Sequence, residues 1–502
     1  MSRLARLILG TTAVALTIGP AQADTLREAL IRAYRSNPTI TGARADLRAT
    51  DEDVPIAKAD GRPSVDTRAG YTENLLQPGN TFTSPGRQAT GGVSLGIPIY
   101  QGGAVENGVR AAETRVLAGR ANLRGTEAQL FTDVVAAYMN VIRDQAVVQL
   151  NQRNVHALEV NLQATKDRFE VGDLTRTDVA QSEARLAQAQ GQLRSAQASL
   201  ISSREDYIAV VGEEPTDLQP PPDLPNMPNG PAVAVNVALD ENPSLIAARR
   251  SRDASAFDVQ SARAGRLPKL NVVVGGDYYN YLGSLGSGTG VQVGQSGTSA
   301  TVGLALTMPL FQGGRPAAQV RQAQAREGSA IEQVAAVERD VVAQTRSAYA
   351  SWQASQYQIE SSRAAVRANR LSLEGVRAEN SVGTRTILDI LNAEQELLNA
   401  QVDLVTAQRN AYVAGFALLA AMGEAEAEDL QLDAGGLYDP TVHYERVEGK
   451  FWDWDDDPAP EPAATGTADT EPQTATVTGD LDDTLAVDPE TGEQKAPNPA
   501  DD

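Results

Sequence analysis

The 502-residue chain contains no cysteine. That excludes disulfides, thiolate metal sites, cysteine nucleophiles and a lipid anchor on an N-terminal cysteine, and it fits an extracytoplasmic setting. Histidine is nearly absent too. His156 and His443 are the only two and lie far apart, so neither metal ligation nor histidine-based catalysis is expected. No Gly-rich phosphate loop, Ser/His/Asp set or singled-out carboxylate pair points to an enzyme or a cofactor. There is no basic face of the kind nucleic-acid binding needs. Beyond the N-terminus, no apolar run approaches the roughly 20 residues that cross a bilayer as a helix. Proline is missing between Pro98 and Pro215 and again between Pro316 and Pro440, which leaves two long intervals open to uninterrupted helix.

The net charge of −22 is unevenly placed. From Glu424 to Asp502 there are 23 acidic and 3 basic side chains, a net of −20, so the rest of the chain is nearly neutral. At the other end, Arg3 and Arg6 precede a short apolar run, Leu7 to Ile18, and the small-residue site Ala21-Gln22-Ala23. This pattern is that of a secretory signal, with a mature chain expected from Asp24.

The chain repeats itself. Asn37-Pro38 returns as Asn242-Pro243 and Pro63 as Pro268, both at an offset of 205. Beyond a Gly/Ser-rich insert around Gly283 to Gly297 the offset becomes 211: Ile97-Pro98-Ile99-Tyr100-Gln101-Gly102-Gly103 matches Met308-Pro309-Leu310-Phe311-Gln312-Gly313-Gly314, and Glu183 matches Glu394. The expected layout is a signal peptide (1–23), a first repeat (24–213), a proline-rich linker (214–232), a second repeat (233–423) and an acidic tail (424–502), largely disordered because it lacks apolar periodicity.

Each repeat opens with a helix, Thr25 to Asp60 and Val233 to Arg266, interrupted early by Asn-Pro. Two strands follow. Val93, Leu95, Ile97 and Ile99 alternate with small or polar residues over Gln88 to Tyr100, as do Ala300, Val302, Leu304, Leu306, Met308 and Leu310 over Thr298 to Leu310. Leu270 to Tyr281 alternates less cleanly, and Val65 to Tyr71 is weaker still. Such lengths suit membrane-barrel strands or a soluble hairpin on a core. Long helices come next, with seams at seven-residue spacing: Val134, Val141, Val148, Val155, Leu162 and Phe169, then Val179, Leu186, Leu193, Leu200 and Tyr207. Trp352, Ile359, Val366 and Leu373, then Ile390, Leu397, Leu404, Ala411 and Leu418, repeat the pattern. Sustained heptads are coiled-coil seams. If the strands lie in a membrane, four cannot close a barrel alone, because an open edge leaves backbone groups unpaired in lipid, and several copies must then share one barrel above the helices.

Two helix-reversal tips are also duplicated. Val171-Gly172-Asp173-Leu174-Thr175-Arg176-Thr177-Asp178-Val179 echoes Val382-Gly383-Thr384-Arg385-Thr386-Ile387-Leu388-Asp389-Ile390. The second tip from Ser381 to Leu391, the first tip from Phe169 with Thr177-Asp178, and the paired Gln-Gly-Gly junctions together resemble the TolC family of outer-membrane efflux and type I secretion proteins, over roughly Asp24 to Gly423. The resemblance implies a mixed α and β membrane protein in the outer membrane. Three protomers would share a twelve-stranded β-barrel, four strands each, in contact with outer-membrane lipid and continued by a periplasmic α-helical barrel. It implies a passive exit duct docked to a periplasmic adaptor (membrane fusion protein) and an inner-membrane transporter. It assigns the gate to Arg385, Thr177, Asp178, Asp389 and position 392, and adaptor docking to Val171, Gly172, Asp173, Val382, Gly383 and Thr384. The chain departs from the family pattern in three places. Asn392 replaces a second acidic ring, Asn380 replaces a tyrosine, and Asp173 replaces an apolar residue. The competing reading is a structural coiled-coil protein of the periplasm or surface without a channel.

Overall fold

A computed structural model describes residues 24–76, 85–286, 294–432 and 436–477. The signal segment 1–23, the middle of the Gly/Ser-rich insert (287–293) and the end of the tail (478–502) lie outside the described residues.

Helices α1 (Leu26–Ser36) and α2 (Pro38–Ala59) meet at Asn37, and α5 (Pro231–Glu241) and α6 (Pro243–Arg263) meet at Asn242. Each asparagine does two things. The Asn37 carbonyl Oδ1 caps α2 by accepting from Thr39 N at 2.8 Å, while its Nδ2 donates to Val210 O at 2.8 Å. Asn242 accepts from Ser244 N at 3.0 Å and donates to Ala421 O at 3.0 Å. An Asn-Pro pair is well suited to this, with proline at the first helical position needing no partner for an N–H.

The strands β1 (Ser64–Glu73), β2 (Arg87–Tyr100), β3 (Lys269–Asn280) and β4 (Ser296–Thr307) form one antiparallel sheet in sequence order, so the two repeats join at β2–β3. The register separates the faces. Val65, Leu95, Val274 and Val302 form one cross-strand row, with Ile97, Val272 and Leu304 beside it. The opposite face carries Asp66, Ser94, Gly275 and Thr301, then Arg68, Gly92, Asp277 and Ser299. Gly92 makes room for a charge there, since a Cβ would fall 2.7 Å from Asp277 Oδ1. The expected fourth strand is shorter than its alternation suggested: β4 stops at Thr307, before Pro309, whereas its twin Pro98 is accommodated by a register shift between Pro98 and Tyr100 in β2. A proline has no N–H for a ladder, so it sits at a bulge or a strand end.

Helices α3 (Ala104–Glu170) and α7 (Arg315–Ser381) each run 67 residues, about 100 Å at 1.5 Å per residue. They turn back into α4 (Arg176–Val211) and α8 (Ile387–Met422), 36 residues each. The duplication is therefore structural, with the same helix lengths at the same offset. The seams pack as their spacing suggests: Val134, Val141, Val148, Val155 and Leu162 are buried in α3, as are Leu200 and Tyr207 in α4, while Phe169 at the tip is 43% exposed. The twins differ in burial. Helix α3 buries 24 residues against α2, α4, α6 and α8, while α7 of equal length buries only six.

The acidic tail is where the fold departs furthest from expectation. Ala425, Ala427 and Leu432 join the main core, and a short helix α9 (Thr441–Val447) lies on α2. Besides these apolar contacts, cations hold the described part of the tail by its backbone carbonyls: Arg27 and Arg62 donate to Gln431 O and Lys450 O, and Arg204 to Thr474 O and Thr476 O.

Candidate functional site

The two tips are built alike. At the end of α3, Gly172 lies at φ +84°, its N–H bonds Phe169 O at 3.0 Å, and Asp173 N bonds Arg168 O at 2.9 Å. At the end of α7, Gly383 at φ +79° bonds Asn380 O at 3.0 Å, and Thr384 N bonds Glu379 O at 3.0 Å. This is the Schellman closure, and its left-handed residue favours glycine. The tips therefore require Gly172 and Gly383 for backbone geometry.

Each following helix starts with a capping box. Thr175 N and Oγ1 donate to Asp178 Oδ2 at 2.9 and 2.7 Å, and Asp178 N donates back to Thr175 Oγ1 at 3.3 Å. Thr386 and Asp389 repeat this at 2.9, 2.8 and 3.3 Å. Hydrogen bonds from Thr175 and Thr386 hold both carboxyls below the usual carboxylate range. Asp178 and Asp389 are thus fixed, ionised groups at helix N-termini, where negative charge is favoured.

Arg385 is not beside Asp178. Its Nε donates to Glu379 at 2.7 Å within its own hairpin, and that carboxylate, followed by Asp389, raises its pKa. Asn380, which stands where the family pattern carries a tyrosine, braces the turn by donating Nδ2 to Arg385 O at 2.7 Å. Thr177 is exposed. Asn392 is engaged across the hairpins, accepting from Arg185 of α4 at 2.7 Å. Val171 and Val382 stand out at the two apices, 77% and 73% exposed. Asp173 and Thr384 follow them as exposed polar neighbours.

A second cluster, set back from the tips, was not expected from sequence. Glu394 of α8 is buried, and its two oxygens accept from Asn161 Nδ2 of α3 at 3.0 Å each, while Arg377 Nη2 of α7 donates at 2.8 Å. One carboxylate thereby joins both hairpins. Beside it Leu391 packs with Val155, Leu158 and Ala189. The only signal in the sequence was the pairing of Glu394 with Glu183, and the twins behave differently: Glu183 pairs with Lys166 at 3.1 Å and is 54% exposed. Among the described residues no acidic or histidine cluster could hold a metal ion, and His443 instead bonds Asp51 at 3.0 Å.

Comparison with known proteins agrees with this architecture. The family model described as outer membrane efflux protein matches residues 29–213 and 234–424, one match per repeat. The outer membrane efflux protein BepC of Brucella suis is 33% identical over 437 residues, covering 87% of this chain and 93% of its own length. The outer membrane protein TolC of Escherichia coli is 29% identical over 426 residues, covering 82% and 84% respectively. Among solved structures, the outer membrane protein VceC of Vibrio cholerae superposes with a TM-score of 0.67 at 23% identity, over 79% of this chain and 96% of that one.

Proposed function

The chain belongs to the outer membrane efflux protein family, and from that premise we propose that three copies assemble into one gated exit duct. It is an outer-membrane efflux channel of TolC type, with its helices on the periplasmic side. Its relatives are channels rather than enzymes, and we read this chain likewise as a passive conduit with no chemistry of its own.

The observation that carries the assembly is the open sheet. The outer edges of β1 and β4 are unpaired among the described residues, and Val302, Leu304 and Leu306 are 78%, 73% and 68% exposed on the sheet's apolar face. In lipid such edges must pair, and strands of neighbouring copies supply the partners. Twelve strands from three protomers close the barrel. The sparsely buried α7 then gains a neighbour along its length, and the helices continue the barrel as a second cylinder around water. Residues 1–23 act as the removed signal, 24–213 and 233–423 as the two repeats, and 214–232 as the linker between them.

The tips form the inner mouth. Three Asp389 carboxylates ring a narrow axis, where they attract cations and resist passage. Asn392 stands one turn behind and adds no charge. Arg385 exchanges Glu379 for Asp178 and Thr177 on an adjoining hairpin as the mouth closes; Asp178 accepts its capping bonds only at Oδ2, which leaves Oδ1 for this contact. The exposed Val171 and Val382, with Gly172, Asp173, Gly383 and Thr384, form the surface for a periplasmic adaptor, which links the duct to an inner-membrane transporter that selects the cargo. Sedimentation of detergent-extracted protein tests the assembly. Three protomer masses per particle are expected; a monomer that stays soluble without detergent would return the chain to the class of coiled-coil scaffolds.

A further inference from the structure

The C-terminal strap carries its most exposed apolar group to one place. Leaving α8, it passes Tyr34, where Tyr438 N donates to the Tyr34 hydroxyl at 3.0 Å, and lays α9 along α2, with Tyr444 against Val54, Ala112 and Val116. Lys58 then pairs with Glu448 at 3.5 Å, and Arg62 donates to Lys450 O. Arg62 lies two residues before β1, so the strap climbs to the foot of the sheet. There it turns, and Arg204 far down α4 holds its return at Thr474 O. The turn is Phe451-Trp452-Asp453-Trp454, with Phe451, Trp452 and Trp454 exposed by 77%, 67% and 82%.

We propose that this aromatic turn is a membrane-interface anchor, seated in the headgroup layer of the inner leaflet of the outer membrane. The proposal rests on the membrane reading of the sheet. Three observations support a lipid occupant. The turn stands level with strand ends that themselves carry exposed aromatics, Tyr100 at 49% and, just beyond β4, Phe311 at 90%. Tryptophan and phenylalanine at a barrel foot suit the interface, where an apolar ring meets water at one edge. Two of the aspartates that follow are paired locally, Asp455 with Lys450 at 3.2 Å and Asp457 with Arg446 at 2.7 Å, which lowers the negative charge the turn brings to a zwitterionic surface. The strap thus fixes the height of the duct in the bilayer from outside the barrel.

The chain has only three tryptophans. The Trp352→Phe variant of the full-length protein therefore leaves Trp452 and Trp454 as the sole tryptophan reporters. In phosphatidylethanolamine/phosphatidylcholine vesicles, a nitroxide on the headgroup is expected to quench their emission roughly twofold or more, and one deep in the acyl chain much less. Emission unchanged by either nitroxide, whether because the rings stand in water or because a second copy covers them, would overturn the anchor. Val302→Trp in a background with Trp352, Trp452 and Trp454 all changed to Phe is the control for the sheet. Quenching of that residue by the deep nitroxide, with no quenching at the strap, rejects the anchor alone; loss of both signals rejects the membrane reading beneath it.

Discussion

Glu394→Ala should loosen the inner mouth. Glu394 is a buried carboxylate joined to both hairpins, through Asn161 at 3.0 Å on each oxygen and Arg377 at 2.8 Å. Hydrogen bonds to a charged group contribute about 1.5–3 kcal/mol where they are buried, as on the Asn161 side. Arg377 is 54% exposed, and solvent screening holds its share to about 0–1 kcal/mol. Arg377 and Glu394 lie on the same hairpin, so only the Asn161 side crosses between hairpins. Loss of that contact, about 1.5–3 kcal/mol, would raise the open population roughly 10- to 150-fold if opening parts the hairpins. Glu394→Gln keeps an acceptor for Asn161 and loses the ion pair, so it should show a smaller effect in the same direction. Single-channel recording of trimers in planar bilayers reads open probability directly. Equal closed-state occupancy in wild type and Glu394→Ala, with trimers intact, would show that the hairpins move as one body and that the junction takes no part in gating.

Burial pushes the Glu127 carboxyl up to about 7 from 4.5, even though Ala427 N donates to it from the strap. A raised carboxyl pKa means the folded state holds the extra proton between these values, so stability is greatest below about pH 4.5 and falls by about 3 kcal/mol as pH rises through 7. Glu127→Gln should flatten that slope in thermal unfolding of the intact protein; an unchanged slope would refute the assignment. Val302→Arg, on the apolar face of β4, should cost about 2–4 kcal/mol and reduce assembly, whereas Thr301→Arg on the opposite face should be tolerated, as read by trimer yield. Arg385→Ala should raise conductance, and unchanged conductance in intact trimers counts against the clamp. Asp389→Asn should weaken block by divalent cations, with unchanged block removing Asp389 from the constriction.

The parts of the fold that repeat were legible because repetition and heptad spacing are written in residue identity. Val134 to Leu162 announce their seam, and the tips share their glycines, threonines and aspartates at one offset. β1 was faint because Thr67 and Ala69 stand between Val65 and Tyr71 on its apolar face, so the apolar half of the alternation is weak. Glu394 was not legible as a junction, since a glutamate on a helix is by default a solvated charge, and only the packing of three helices separates it from its exposed twin Glu183. The strap was hidden for a different reason. Arg27, Arg62 and Arg204 hold it by its backbone carbonyls, and a backbone acceptor has no sequence signature. At the tips, residue types were readable but partners were not: Asp389 was legible as a charge, while its capping by Thr386 and the Arg385–Glu379 pair depend on rotamers.

The duct proposed for this chain is a continuous water-filled path through several copies. Purified trimers inserted into a planar lipid bilayer test it most directly. Discrete current steps are expected, cation-selective while Asp389 is present and less so in Asp389→Asn. Trimers that insert and carry no current, in wild type and in Glu394→Ala alike, would contradict the duct.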